Sequence, residues 1–237
     1  MMPALLNSCT NFIQSWFAQD CLLCGAASGA HLVCAACHDG LPRHASACPV
    51  CAAPSAAPGI AEVCGECLQH PPSFDRTTAA LHYTFPVDKL IQSYKYHHQL
   101  ALARLFGALL RDSVREQPRP DSILPMPLHP MRLRERGFNQ AHEIAKHLSK
   151  ELHLPLTPQL ARRVVNTASQ ATLDWDARKK NMQGAFACDE NLKGQHIALV
   201  DDVMTSGATL NAAAKVLKRA GAAQVSLWVV ARALPHH

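Results

Sequence analysis

The chain has 237 residues, with 23 Lys+Arg against 18 Asp+Glu and a formal net charge of +5. That length provides one good core plus an appendage, or two modest domains, and so mild a basic excess permits nucleic acid without implying it. No apolar run approaches the roughly 20 residues needed to span a bilayer, and the opening "MMPALLNSCTNFIQSWFAQD" has no basic segment before its apolar residues, so a soluble cytoplasmic protein is expected.

Residues 1–20 are expected to form a helical segment, followed by a cysteine-rich stretch over 21–72. Eight of the ten cysteines fall in four Cys-x-x-Cys pairs, Cys21/Cys24, Cys34/Cys37, Cys48/Cys51 and Cys64/Cys67. This spacing is typical of metal ligands rather than of a secreted disulfide framework. Cys9 and Cys188 stand apart and read as ordinary thiols. Few large apolar side chains lie in the stretch, which is too short to fold without a staple. Structural zinc supplies one, at roughly 10–16 kcal/mol of apparent binding energy per site. Eight thiolates make two closed tetrahedral Zn2+ sites with no position left for water or substrate, so both read as structural. Sequential pairing closes loops of 9 and 12 residues, and cross-bracing closes loops more than twice as long. Loop entropy favours the sequential form by only roughly 0.6 kcal/mol per doubling. His31, His38 and His44 lie in the same stretch and are alternative ligands, although surface histidines are the ordinary expectation. A redox dithiol is the rival for any single pair.

Pro71 and Pro72 mark a boundary, and a second domain is expected over 73–237. The segment 77–85 alternates like a strand, and 87–116 carries helical spacing. A proline-rich break follows. "SILPMPL" then reads as a buried strand ending in a Pro-x-Pro turn, and "NQAHEIAKHLSKELHL" as an amphipathic helix with Ile144, Leu148 and Leu152 on one face. Residues 160–186 are polar and weakly periodic, and a mobile loop with a short helix is expected there. "HIALVDDV" reads as a strand, "ATLNAAAKVLKRAG" as a helix closed by Gly221, and "AQVSLWVVARAL" as a strand with Trp228 in the core. Strands that alternate with helices, several of them continuously apolar, indicate an α/β fold with a doubly wound, mostly parallel sheet.

In "LVDDVMTSGATL" the apolar strand ends at Asp201 and Asp202, and a helix starts near Thr209. A strand-to-helix turn is where ligands bind in a doubly wound sheet. Gly207 permits close backbone approach, while the hydroxyls of Thr205, Ser206 and Thr209 and the amides at the helix start can donate to a phosphate. Hydrogen bonds to a charged group, at roughly 1.5–3 kcal/mol each, outweigh a helix dipole at roughly 0.3–1 kcal/mol. Two carboxylates beside such a cradle would repel the anion unless a hydroxylated or cationic group lies between. A ribose diol does, and Mg2+ can sit nearby.

"ALVDDVMTSGAT" resembles the 5-phosphoribosyl-1-pyrophosphate (PRPP) motif of type I phosphoribosyltransferases. The resemblance implies that Asp201 and Asp202 contact the ribose hydroxyls, and that Thr205, Ser206, Gly207, Ala208 and Thr209 hold the 5'-phosphate. Together with the cysteine-paired N-terminus, "PMPL" and "RLRERGFNQA", it resembles the ComF family of competence-associated proteins over nearly the whole chain. That implies a zinc-ribbon region joined to a phosphoribosyltransferase fold and a role in DNA uptake during natural transformation.

Pyrophosphate must be neutralised, and Mg2+ with Arg or Lys donors is the usual means. Arg134 and Arg136, with Asn139 and Gln140, are the first candidates. Pro125 to Leu128 falls where related enzymes place a pyrophosphate-contacting turn. Arg162, Arg163, Gln170, Arg178 and Asn181 resemble recurrent ComF positions without an assigned chemistry. Lys95 reads as a helix-surface lysine. No general base and no nucleobase pocket stands out, so no catalytic residue is assigned. Two functions follow as expectations. One is a transformation factor binding a phosphoribosyl ligand and single-stranded DNA through the cationic stretches 132–136, 146–150, 162–163 and 178–180, with other DNA-uptake proteins as candidate partners. The other is an active phosphoribosyltransferase with an unknown acceptor. Against DNA binding, aromatic residues make up only 5% of the chain.

Overall fold

The structure is a computed structural model that describes residues 19–44, 46–55, 59, 61–97, 99–165 and 184–233. The N-terminal segment expected to be helical lies outside these except for its last two residues, as do Cys9, Gln170, Arg178 and Asn181. The chain divides into two compact units, Met1–Pro42 and Arg43–His237.

The smaller unit is built on the first two cysteine pairs. An antiparallel bridge joins Asp20 and Ala27, and the Cys21 amide donates to the Ala26 carbonyl at 2.8 Å. Between them the chain reverses through Gly25, whose φ of +71° a residue with a Cβ adopts only at a cost. Helix α1 (Ala35–Asp39) starts directly after Cys34.

The larger unit opens with the same arrangement. Ala47 bridges Pro54, the Cys48 amide donates to the Ala53 carbonyl at 2.7 Å, and Ala52 takes the left-handed position that Gly25 holds in the first unit. Helix α2 (Gly65–Gln69) follows Cys64. This ribbon docks along the outer side of strand β1 (Arg76–His82). The Thr77 amide donates to the Pro49 carbonyl and His44 Nε2 donates to the Leu81 carbonyl, each at 3.1 Å. Burial, with the adjacent His82, holds His44 down to about 4, so at neutral pH it is a neutral donor. Val50 and Cys51 pack against the main core.

The core lies about a four-stranded sheet of order β1-β6-β5-β2, with β2 spanning Ser122–Pro125, β5 spanning His196–Met204 and β6 spanning Gln224–Arg232. Every pairing is parallel, as the run of apolar residues in the central strands requires. Ile197 to Val200 and Val225, Leu227, Val229 and Val230 are fully buried. Alternation divides these residues between two faces. Ile197, Leu199, Val225, Leu227 and Val229 meet Ala213, Ala214 and Leu217 of helix α7 (Ala208–Arg219). Helices α4 (Leu102–Val114) and α6 (Gln140–Leu152) pack together and onto the sheet. The sheet is therefore doubly wound.

Local structure departs from the sequence reading in three places. The helical spacing over 87–116 forms two helices, α3 (Val87–Tyr96) and α4, separated at "HHQLA", where the Leu102 amide folds back onto the Gln99 carbonyl at 2.9 Å. That intervening stretch offers no apolar stripe to bury. A short helix α5 (Pro130–Arg136) also stands after the Pro-x-Pro turn. Proline at its first position and Gly137 in the left-handed conformation at its end bound it on both sides. In the polar stretch after the 3-10 turn Pro158–Leu160, two short strands, β3 (Arg162–Arg163) and β4 (Phe186–Ala187), pair antiparallel.

Candidate functional site

Strand β5 ends level with β6 at the C-terminal edge of the parallel sheet, four residues beyond the end of β2. Asp201 stands opposite Val229, and Met204 opposite Arg232. The chain turns over Thr205 to Gly207, and α7 begins at Ala208. Gly207 caps that helix at φ +77°, and a Cβ there would lie 2.6 Å from Met204 Cε. Ser206 Oγ accepts from the Ala208 amide at 3.4 Å, and the Asn211 amide donates to the Gly207 carbonyl at 2.8 Å to open the helix. Thr205 is exposed, and Ser206, Ala208 and Thr209 are half-buried. The five residues thus line one turn whose first helical amides have no intrahelical partner.

The two acids differ. Asp202 is buried, and its Oδ1 lies 2.9 Å from Lys95 Nζ. Burial works against the Lys95 charge, but Asp202 outweighs it and holds the lysine above its ordinary range. Asp201 Oδ1 accepts from the Asp202 amide at 2.9 Å. Desolvation first, and the neighbouring Asp202 charge second, push the Asp201 carboxyl up to about 7 against the opposing pull of Lys95. One acid is therefore fixed in an ion pair and the other is poised to exchange a proton near neutrality.

Lys95 is not the surface lysine expected from the sequence. It lies four residues beyond Ile91, on the stripe Val87, Leu90, Ile91 and Tyr94 that α3 buries, and this periodicity was the available signal. Tyr94 fixes the end of that helix, because its hydroxyl donates to the Gln140 carbonyl at 2.8 Å.

The proposed pyrophosphate residues divide by surroundings. Asn139 caps α6 by accepting from the His142 amide at 3.3 Å, and its Nδ2 donates to the Met126 carbonyl at 3.1 Å. It thereby ties the turn after β2 to α6. Arg136 donates to Oε1 of buried Gln140 at 3.3 Å, while the Gln140 Nε2 is buried without a partner among the described residues. Arg136 acts electrostatically on Lys95, whereas Arg134 is exposed on α5. Arg163 adds a cation that sequence reasoning left without a role. It lies over the Phe186 ring at 5.6 Å and feels the charges of Arg132, Arg136 and Asp201. Its half-buried, desolvated setting is created by the β3–β4 pairing, which leaves no periodic trace in sequence. Arg162 instead pairs with Asp189.

The cysteines form two clusters, Cys21, Cys24, Cys34 and Cys37 in the smaller unit and Cys48, Cys51, Cys64 and Cys67 in the larger, with ligand atoms within 4.8 Å of one another in each. The pairing is sequential, and His31, His38 and His44 belong to neither cluster. Zinc bonds to sulfur of about 2.3 Å put tetrahedral sulfurs about 3.8 Å apart. The Cys24–Cys34 and Cys51–Cys64 sulfurs stand 3.8 and 3.6 Å apart. Amides also point at the sulfurs, with Cys34 donating to Cys21 Sγ and Cys64 to Cys48 Sγ, each at 3.3 Å. The Cys34 amide is the main reason the Cys21 thiol is held down to about 6. Both donor sets fit structural zinc.

Comparison with known proteins finds two domain types in the chain. Residues 12–68 match the double zinc ribbon domain, and residues 137–235 match the phosphoribosyl transferase domain. The chain is 36% identical to Competence protein F of Haemophilus influenzae, covering 73% of this chain and 80% of that one. It is 34% identical to the DNA utilization protein YhgH of Salmonella typhimurium, over 85% of this chain and 91% of that one. Competence protein ComFC of Bacillus subtilis is 27% identical, with 84% of each chain covered. A double zinc ribbon with two four-cysteine centres, followed by a type I phosphoribosyltransferase domain, places the chain in the ComF family of competence proteins.

Proposed function

We propose that the turn ending β5 binds PRPP or a related phosphoribosyl ligand together with Mg2+, and that the protein serves DNA utilization in the cytoplasm, with single-stranded DNA as its partner. The observation that carries this reading is the succession of Asp201, Asp202, a left-handed Gly207 and the start of α7 at the C-terminal edge of a parallel sheet. The acids suit a ribose diol, and the turn suits its 5'-phosphate. Mg2+ would be held by the Asp201 carboxylate and ligand oxygens. Arg136 and Gln140, with Arg163 beside them, suit the pyrophosphate. The names of the relatives support the DNA role, and no helix of the described residues is long and apolar enough to cross a membrane. Among the described residues of the cationic stretches, Lys146 pairs with Glu143 and Arg162 with Asp189, whereas Arg134 is exposed on α5, which favours α5 as the strand-binding face.

Calorimetric titration with PRPP and Mg2+ tests the site. Asp201→Asn with Asp202→Asn is expected to weaken binding at least tenfold, and unchanged affinity rejects the assignment. Gel shifts with single-stranded DNA test the partner, with replacement of Arg134 and Arg136 expected to reduce a salt-dependent affinity.

The cations around the acids favour a second reading, transfer of the phosphoribosyl group to an acceptor. Release of pyrophosphate with Mg2+ and a panel of bases would establish it, and its absence leaves a binding domain.

A further inference from the structure

Arg232, the last residue of β6, is 7% exposed and takes no part in the reading above. Its guanidinium is held by main-chain carbonyls on two sides. Nε donates to the Cys51 carbonyl at 2.9 Å. Nη1 donates to the Met204 carbonyl at 3.1 Å and also to the carbonyls of Thr205 and Ala233. The Met204 carbonyl accepts in addition from the Ala233 amide at 2.9 Å. Cys51 belongs to the second metal cluster, and Met204 and Thr205 lead into the phosphate turn.

A buried cation needs its donors satisfied, so neither set of carbonyls can leave without a cost. Planar trans peptides convert this into orientation, because a carbonyl and the following N–H point in opposite directions. Fixing the Met204 and Thr205 carbonyls on Arg232 therefore aims the Thr205 and Ser206 amides away from the guanidinium. It also stops those two carbonyl oxygens from turning toward a bound anion. The Cys51 carbonyl is itself held by the metal-closed knuckle Cys48 to Ala53, in which the Ala52 amide donates to the Cys48 carbonyl at 2.8 Å.

We infer that Arg232 is a positioning residue through which the zinc-loaded second ribbon sets the geometry of the phosphate turn. Loss of that zinc releases Cys51, loosens the guanidinium and disorders the turn. The identity of the anion rests on the phosphoribosyl reading, but the coupling does not. Because coupling between two sites is reciprocal in binding free energy, a ligand in the turn must also tighten zinc binding at the second cluster.

The test is hydrogen exchange by mass spectrometry over residues 204–212 of the full chain, combined with PRPP calorimetry and equilibrium competition for zinc with a chromogenic chelator. Cys67→Ser is expected to raise exchange in 204–212 about fivefold or more. Cys37→Ser, in the other unit, is expected to leave it unchanged. In zinc-loaded protein, Arg232→Lys keeps the charge but loses the fork. It is expected to raise the same exchange, to weaken PRPP about tenfold and to abolish the tightening of zinc binding by PRPP. Equal exchange in wild type and Cys67→Ser, an equal rise in Cys37→Ser, or wild-type exchange, PRPP affinity and zinc affinity together in Arg232→Lys overturns the inference. Should Arg232→Lys fail to fold, the two cysteine variants decide alone. A turn that responds to zinc in a protein that does not bind PRPP refutes the phosphoribosyl reading and leaves the coupling standing. PRPP binding with an unresponsive turn does the reverse.

Discussion

Lys95 Nζ lies 2.9 Å from Asp202 Oδ1, with side chains 21% and 9% exposed, and this pair joins the end of α3 to the end of β5. Removing one partner leaves the other charged in a poorly solvated place. Lys95→Met is expected to cost about 3 kcal/mol in urea unfolding, and Lys95→Met with Asp202→Leu to recover most of it. A wild-type midpoint for Lys95→Met would show that the pair contributes nothing.

The Asp201 carboxyl gives a pH dependence with a definite sign. Its folded pKa is about 7, well above the value near 4 of a free aspartate. The neutral form is favoured on folding, so this contribution to stability is complete below about pH 4 and is lost as pH rises through 7. Asp201→Asn keeps a neutral side chain throughout. It is expected to stabilise more at pH 8 than at pH 5, by at least about 1 kcal/mol after solvent screening, a difference in Tm of about 2–4 °C or more. Melting curves at the two pH values check it, and equal shifts at both would count against a raised pKa. Ligand binding runs the other way, since a carboxylate is needed. PRPP affinity in the presence of Mg2+ is expected to fall about tenfold per unit below pH 7.

Gly207 combines a φ of +77° with a Cβ position 2.6 Å from Met204 Cε. The methionine end is flexible and can yield, whereas the backbone conformation cannot. Gly207→Ala is therefore expected to destabilise by about 1–2 kcal/mol, and placing it in a Met204→Ala background should relieve only the contact. Chemical denaturation of the two single variants and the double variant separates the two contributions. Full additivity would show that the contact carries no cost.

Metal analysis should find two zincs per chain, and one in Cys67→Ser. A single zinc in the unmodified protein contradicts two closed four-sulfur centres.

Much of this molecule is legible in its sequence because its signals are local. The four cysteine pairs give the metal centres, the apolar runs of β5 and β6 give a parallel sheet, and the order of acids, small residues and glycine gives the turn. What sequence does not reveal depends on distant contacts. Lys95 acquires its importance from an aspartate more than a hundred residues away, and Arg163 from Phe186 across a two-residue pairing. Arg232 sits at the end of an apolar strand like any terminal arginine, and only the fold brings Cys51 and Thr205 to either side of it.

The docking of the second ribbon along β1 also bears on solubility. A parallel sheet ends in strands whose outward main-chain groups invite another chain to pair with them. Here Pro49 and His44 occupy two of those groups, at Thr77 and Leu81. A ribbon too small to fold without metal thus acts as a guard rail for the sheet margin, and stripping its zinc should leave a molecule prone to self-association.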